Sequence, residues 1–109
     1  MSDITQHYDD IIAITKQINP QAIYVFGSRA TQSYHDDSDL DLLVIAPSDD
    51  RPIDRRIKLH RLLREYDRKI GLDILVYTPE EAKLFENEPA SFIYNILREG
   101  EKIYEAEVV

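Results

Sequence analysis

The chain has 109 residues and a formal net charge of −8, from 13 Lys plus Arg against 21 Asp plus Glu. A chain of this length buries about two-thirds of its unfolded surface, which suffices for one hydrophobic core, so we predict a single domain over residues 1–109. The acidic balance disfavours nonspecific binding to the phosphate backbone of nucleic acid, and a nucleic-acid substrate is not expected.

Composition also bears on the compartment. The sequence holds no Cys, which excludes disulfides, thiol nucleophiles and thiolate zinc sites. No apolar run approaches the ~20 residues of a membrane-spanning helix. The start Met1-Ser2-Asp3-Ile4 lacks the basic and apolar regions of a secretory leader. We therefore expect a cytoplasmic protein with no membrane partner.

Hydrophobic periodicity predicts helices and strands in alternation, which is typical of an α/β (α+β) chain. The first half is predicted to contain a helix that stops at Asn19-Pro20, a strand over 22–26, a polar loop over 31–38 and a strand over 39–46. The second half is predicted to contain a helix over 53–69, a strand over 72–77, a capped helix over 80–86, a helix over 90–98 and an edge strand over 102–105.

Three carboxylates stand at the predicted strands. Because side chains alternate along a strand, Asp39 and Asp41 project to the same side, with Cα atoms roughly 6.5 to 7 Å apart. Asp73 interrupts an otherwise apolar strand, where an unpaired buried carboxylate costs several kcal/mol. If the two strands are neighbours, the three acids can hold two Mg²⁺ ions, or Mn²⁺, about 3.5 to 4 Å apart. The alternative is that they are turn residues and solvated strand ends.

A phosphate site is predicted where the first strand ends. Gly27 tolerates unusual φ and lets a phosphate approach the backbone. Ser28 would begin a helical turn whose free N–H groups attract phosphate. Arg29 would add a bidentate phosphate contact, and its alternative is a solvated side chain.

These motifs resemble a known family. Gly27-Ser28, ten residues, Asp39-Leu40-Asp41 and a later Asp73 are similar to the signature of the minimal nucleotidyltransferases of the DNA polymerase beta superfamily, most of all MntA-type antitoxins that pair with HEPN toxins. The resemblance implies a small nucleotidyltransferase fold, with a mixed β-sheet of about three to four strands flanked by helices. It implies Asp39, Asp41 and Asp73 as catalytic metal ligands, and Gly27, Ser28 and Arg29 as nucleotide-binding residues.

The function that the resemblance implies is transfer of AMP from ATP to a hydroxyl, that of a Tyr, on a partner HEPN toxin in a hetero-oligomer. The chain would then be the antitoxin of a type VII toxin–antitoxin pair. Two alternatives stay open: a nucleotidyltransferase acting on a small molecule such as an aminoglycoside, and a non-catalytic antitoxin that occludes its toxin.

Other polar residues are predicted to be structural. His7, His35 and His60 lack the i,i+4 pairing of a zinc site. The basic residues between Arg51 and Lys69 are predicted to form a solvated helix face. Tyr8 is expected to be exposed.

Overall fold

The computed structural model describes residues 4–27, 40–66 and 71–107. In these ranges the elements are α1 (Ile4–Thr15) with a 3-10 turn (Lys16–Ile18), β1 (Ala22–Phe26), β2 (Leu40–Ile45), α2 (Pro52–Leu62), β3 (Leu72–Tyr77), α3 (Pro79–Phe85), α4 (Phe92–Glu99) and β4 (Glu101–Glu105). Their kind and order confirm the prediction. None of the helices described is long and apolar enough to cross a membrane.

One helix is shorter than predicted. The helix expected over 53–69 ends at Leu62, because Leu63 leaves helical geometry at φ −100° and ψ 17°. Residues 64–66 are helical again, and 67–69 lie outside the described residues. Leu63 is fully buried, as is Leu59 one turn before it, so the apolar face of α2 continues to the end of the helix.

The four strands form one mixed sheet in the order β3-β2-β1-β4. β1 lies antiparallel to both β2 and β4, whereas β2 and β3 are parallel. The parallel pair needs a crossover connection, which α2 supplies. The strand that carries Asp73 is therefore the direct neighbour of the strand that carries Asp41.

Alternation along the strands gives the sheet two buried faces. One face packs against α1 and α2, and its core includes Ile11, Leu42 and Leu59. Tyr8 belongs to this core at 7% exposure, so its expected exposure was wrong. The reason is that it lies one turn before Ile11 on the inner side of α1. The opposite face packs against α3 and α4 through a second cluster made of Ala22, Tyr24, Leu43, Ile45, Ala82, Ile93 and Ile96.

An ion pair joins α2, β3 and α3. The Arg55 guanidinium donates to both carboxylate oxygens of Glu81, at 2.7 and 3.1 Å, and also to the carbonyls of Val76 and Asp50. Glu81 in turn accepts from the Thr78 amide at 2.8 Å, completing the predicted capping box of α3. Arg55 is only 7% exposed, so it departs from the predicted solvated face of its helix.

This pairing shifts the acidity of both groups. The Arg55 guanidinium, together with the Thr78 amide, lowers the pKa of Glu81 from 4.5 to about 2. The same hydrogen bonds to Glu81 raise the pKa of Arg55. Both groups therefore stay charged at neutral pH, and the negative charge of Glu81 compensates the positive charge of the buried Arg55.

We expect Glu81→Gln to lower the free energy of unfolding by about 1–2 kcal/mol at pH 7. This loss is at or below the lower end of the range for hydrogen bonds to charged groups. The reason is that a third of the Glu81 side chain reaches solvent, which screens the ion pair. Gln preserves the capping box, so the loss reports the ion pair. Urea denaturation measures it, with the exposed neighbour change Glu80→Gln as the control.

The stability difference between the parent and Glu81→Gln should also depend on pH. Because the folded pKa of Glu81 is depressed, its contribution is present above about pH 4.5 and is lost as pH falls toward about 2. The difference in unfolding free energy between the parent and Glu81→Gln should therefore shrink over that range. A difference that stays constant down to pH 2 would contradict the assignment.

Candidate active site

Two of the predicted acids lie side by side. Asp41 on β2 is the register partner of Asp73 on β3, and Phe26 of β1 is the register partner of Asp41 on the other side. Neighbouring strands are about 4.7–4.9 Å apart, and register partners point to the same face of a sheet. Asp41 is half-buried and Asp73 is exposed. The structure thus brings two carboxylates together, one shielded and one open to solvent.

Gly27 lies against this pair. It follows β1 with φ +77°, a region that residues with a side chain rarely adopt. A Cβ on Gly27 would collide with Oδ2 of Asp41. The glycine is therefore needed twice, for its backbone conformation and for the space that the Asp41 carboxylate occupies.

Three predicted site residues cannot be placed. Ser28, Arg29 and Asp39 lie outside the described residues, in the range 28–39. Their roles in binding phosphate and metal stay predictions. β2 begins at Leu40, directly after Asp39, so the described part of the strand is the continuation of the predicted D-x-D segment.

The donor set fits a hard divalent cation. Asp41 and Asp73 offer only carboxylate oxygens, and Mg²⁺ binds through one or two carboxylates with water and phosphate completing its shell. Within the described ranges no group of three potential ligands occurs. A third ligand would have to come from a residue such as Asp39, as the sequence predicts.

No site role is predicted from the sequence for α4, which borders Gly27. Phe26 and Phe92 meet edge to face with ring centroids 5.6 Å apart. Behind them lies a cavity of about 250 Å³, lined by Phe26, Gly27, Phe92, Asn95, Ile96, Glu99 and Gly100. The spacing 92, 95, 96, 99 places these residues of α4 on one helix face, a pattern that the sequence contains.

Gly100 explains how α4 comes so close to β1. A Cβ at Gly100 would lie 2.6 Å from the carbonyl oxygen of Ile96 and 3.0 Å from that of Val25. A larger residue would therefore push the end of α4 away from the strand. The cavity beside Gly27 depends on this close approach.

The histidines lie away from this arrangement as far as they are described. His7 packs edge to face against Tyr66, at 5.8 Å between ring centroids. His60 lies on α2, and His35 is outside the described residues.

The chain matches the family model described as "Polymerase beta, Nucleotidyltransferase" over residues 9–108. It therefore belongs to the polymerase beta nucleotidyltransferase family. This agrees with the mixed sheet and with the acidic pair on its neighbouring strands. A comparison with curated proteins found no significant match.

Solved structures give the same fold. A crystal structure of a toxin–antitoxin with AMP-PNP is similar with a TM-score of 0.58 at 19% identity, over 91% of this chain and 73% of that chain. A mutant of the toxin–antitoxin MntA-HpeT with two Asp-to-Glu changes is similar with a TM-score of 0.54 at 18% identity, over 91% and 73%. A Tyr-to-Ala mutant of MntA-HpeT has a TM-score of 0.55 at 19% identity, over 92% and 73%.

We expect Gly27→Ala to displace the Asp41 carboxylate and weaken Mn²⁺ binding by at least tenfold. The positive φ should also cost about 1–2 kcal/mol of stability. Mn²⁺ titration followed by electron paramagnetic resonance, together with urea denaturation, checks both effects.

The control is Gly71→Ala, at a second glycine with positive φ, 63°. It reports the cost of a Cβ in that backbone conformation at the residue that precedes β3. Equal Mn²⁺ affinity in Gly27→Ala and the parent would show that the Asp41 carboxylate does not depend on the glycine.

Proposed function

We propose that this chain is the antitoxin of a toxin–antitoxin pair and transfers AMP from ATP to a tyrosine hydroxyl of a HEPN toxin in the cytoplasm. The observation that carries the proposal is the register pairing of Asp41 with Asp73 beside Gly27, in a chain of the polymerase beta nucleotidyltransferase family. Two adjacent carboxylates next to a side-chain-free backbone suit a phosphorylated, metal-bound substrate.

Asp41, Asp73 and Asp39 would hold two Mg²⁺ ions, or Mn²⁺. When bound, such ions neutralise charge on the phosphates and orient the attacking and leaving oxygens in line. The half-buried Asp41 is suited to a fixed ligand position, because its carboxylate lies against Gly27.

Asp73 would take the proton of the acceptor hydroxyl. As the hydroxyl oxygen forms its bond to the α-phosphorus, the bond from that phosphorus to the pyrophosphate breaks, and pyrophosphate leaves. A general base must lie about 2.6 to 3.2 Å from the proton-bearing oxygen. The exposure of Asp73 supports this role, since an acceptor on another protein can approach it from solvent.

Gly27, Ser28 and Arg29 would bind the phosphates. Gly27 permits close approach of a phosphate to the backbone, and Ser28 and Arg29 follow it directly in the chain. The partner and the nucleotide are supported by the fold similarity to toxin–antitoxin structures, one of which was solved with AMP-PNP.

We expect the toxin encoded beside this chain to gain one or more AMP masses when incubated with the chain, ATP and Mg²⁺. Asp41→Asn should abolish the gain. Asp73→Asn should slow it by about 10²- to 10⁴-fold, the usual contribution of a general base. Intact-mass spectrometry over time measures both.

The matched control is Asp9→Asn, at an exposed aspartate of α1, the helix that packs on the sheet face opposite to Asp41 and Asp73. It should leave transfer unchanged, and thermal melting should show that all three variants fold. A toxin that is silenced equally well by Asp41→Asn would contradict catalysis and favour occlusion. Transfer to an aminoglycoside but not to the toxin would contradict a protein acceptor.

A further inference from the structure

The cavity between β1 and α4 has the features of a ring-binding site. Phe92 at the start of α4 is 56% exposed, and one edge of the ring pair that it forms with Phe26 borders the cavity. A large aromatic ring that is exposed in a concave site is typical of a ligand contact, whereas a ring that stabilises the core is buried. The cavity opens beside Gly27, which itself lies against Asp41.

The size of the cavity limits its occupant. About 250 Å³ is below the roughly 300–1,000 Å³ of pockets that enclose a whole small ligand. It suits one ring system of a molecule whose remaining part lies outside. Continuity with Gly27 places that remaining part at the acidic pair.

The polar groups of the cavity favour a ring that donates hydrogen bonds. Nδ2 of Asn95 uses one of its two N–H groups on the Ser91 carbonyl at 3.0 Å, which leaves the second N–H and Oδ1 to meet a ligand. Glu99, one turn further along α4, adds carboxylate acceptors. Glu99 and Oδ1 of Asn95 can both accept from an exocyclic amino group, and the second N–H of Asn95 can donate to a neighbouring ring nitrogen, so the two side chains suit a base that carries an amino group.

We infer that this cavity receives the purine base of the nucleotide, with Phe92 as the aromatic contact and Asn95 and Glu99 as acceptors for its amino group. The inference rests on the proposed function, and deepens it by assigning α4 to nucleotide selection. Base–aromatic contacts are favourable for any base, so the acceptors supply the preference and Phe92 supplies the affinity.

The test compares AMP-PNP with tripolyphosphate, which has the phosphates but no base. Isothermal titration calorimetry in Mg²⁺ should show that the full chain binds AMP-PNP more tightly. Phe92→Ala should weaken AMP-PNP binding by about 5- to 150-fold, and leave tripolyphosphate binding unchanged. Phe92→Tyr should preserve most of the AMP-PNP affinity, because the ring remains.

The control for loss of an exposed ring is Phe85→Ala. Phe85 ends α3, is 40% exposed, and does not line the cavity. It should bind both ligands like the parent. Circular dichroism melting of each variant checks that α4 remains folded.

The outcomes separate the two proposals. If the parent binds neither compound, the proposed nucleotidyltransferase function fails, and this inference fails with it. If the parent binds both alike, or if Phe92→Ala binds AMP-PNP normally, only the base site is overturned. Normal AMP-PNP binding by Phe92→Ala, combined with loss of AMP transfer to the toxin, would assign the cavity to the acceptor ring instead.

Discussion

The parallel register between β2 and β3 determines where the carboxylates of the candidate site lie. Residues pair in order from Leu40 with Leu72 to Ile45 with Tyr77, and this places Asp41 opposite Asp73. Because side chains alternate, a slip of one residue would send Asp73 to the other face of the sheet, among the core residues of α1 and α2. Both the apolar core and the acidic pair therefore require the same register.

The ion pair of Arg55 and Glu81 stabilises the far end of this register. β3 is an edge strand, and edge strands have one partner fewer to hold them. Arg55 donates to the carbonyl of Val76 in β3, and to Glu81 at the start of α3. The connection from β2 through α2 to β3 and onward to α3 is thus joined by one buried guanidinium. A buried charge tolerates few alternative arrangements, because losing its partner is costly.

On the other side of Asp41, two glycines determine how closely elements approach. Gly27 leaves room for the carboxylate, and Gly100 lets the end of α4 pack onto β1. Together they bring an aromatic and acceptor-bearing helix next to the acidic pair.

Local sequence patterns determined much of this protein. Alternating apolar residues, the capping box at Thr78 and the glycine after β1 predict the elements correctly, since each depends on neighbouring residues in the chain. The break at Leu63 and the burial of Arg55 were not predicted, and Arg55 is buried by contacts with Val76 and Glu81, which are distant in the chain. The burial of Tyr8 was predictable, since its spacing from Ile11 places both side chains on the apolar face of α1.

The candidate site was likewise predictable only in part. The types of residue at Gly27, Asp41 and Asp73 were readable as a phosphate and metal pattern. Their proximity was decided by the register of β2 and β3, and the cavity of Phe92 and Asn95 by the packing of α4 onto β1. Residues 41, 73 and 92 are far apart in the chain, and only tertiary contacts, whose free energy comes from burial across the whole core, bring them to one place.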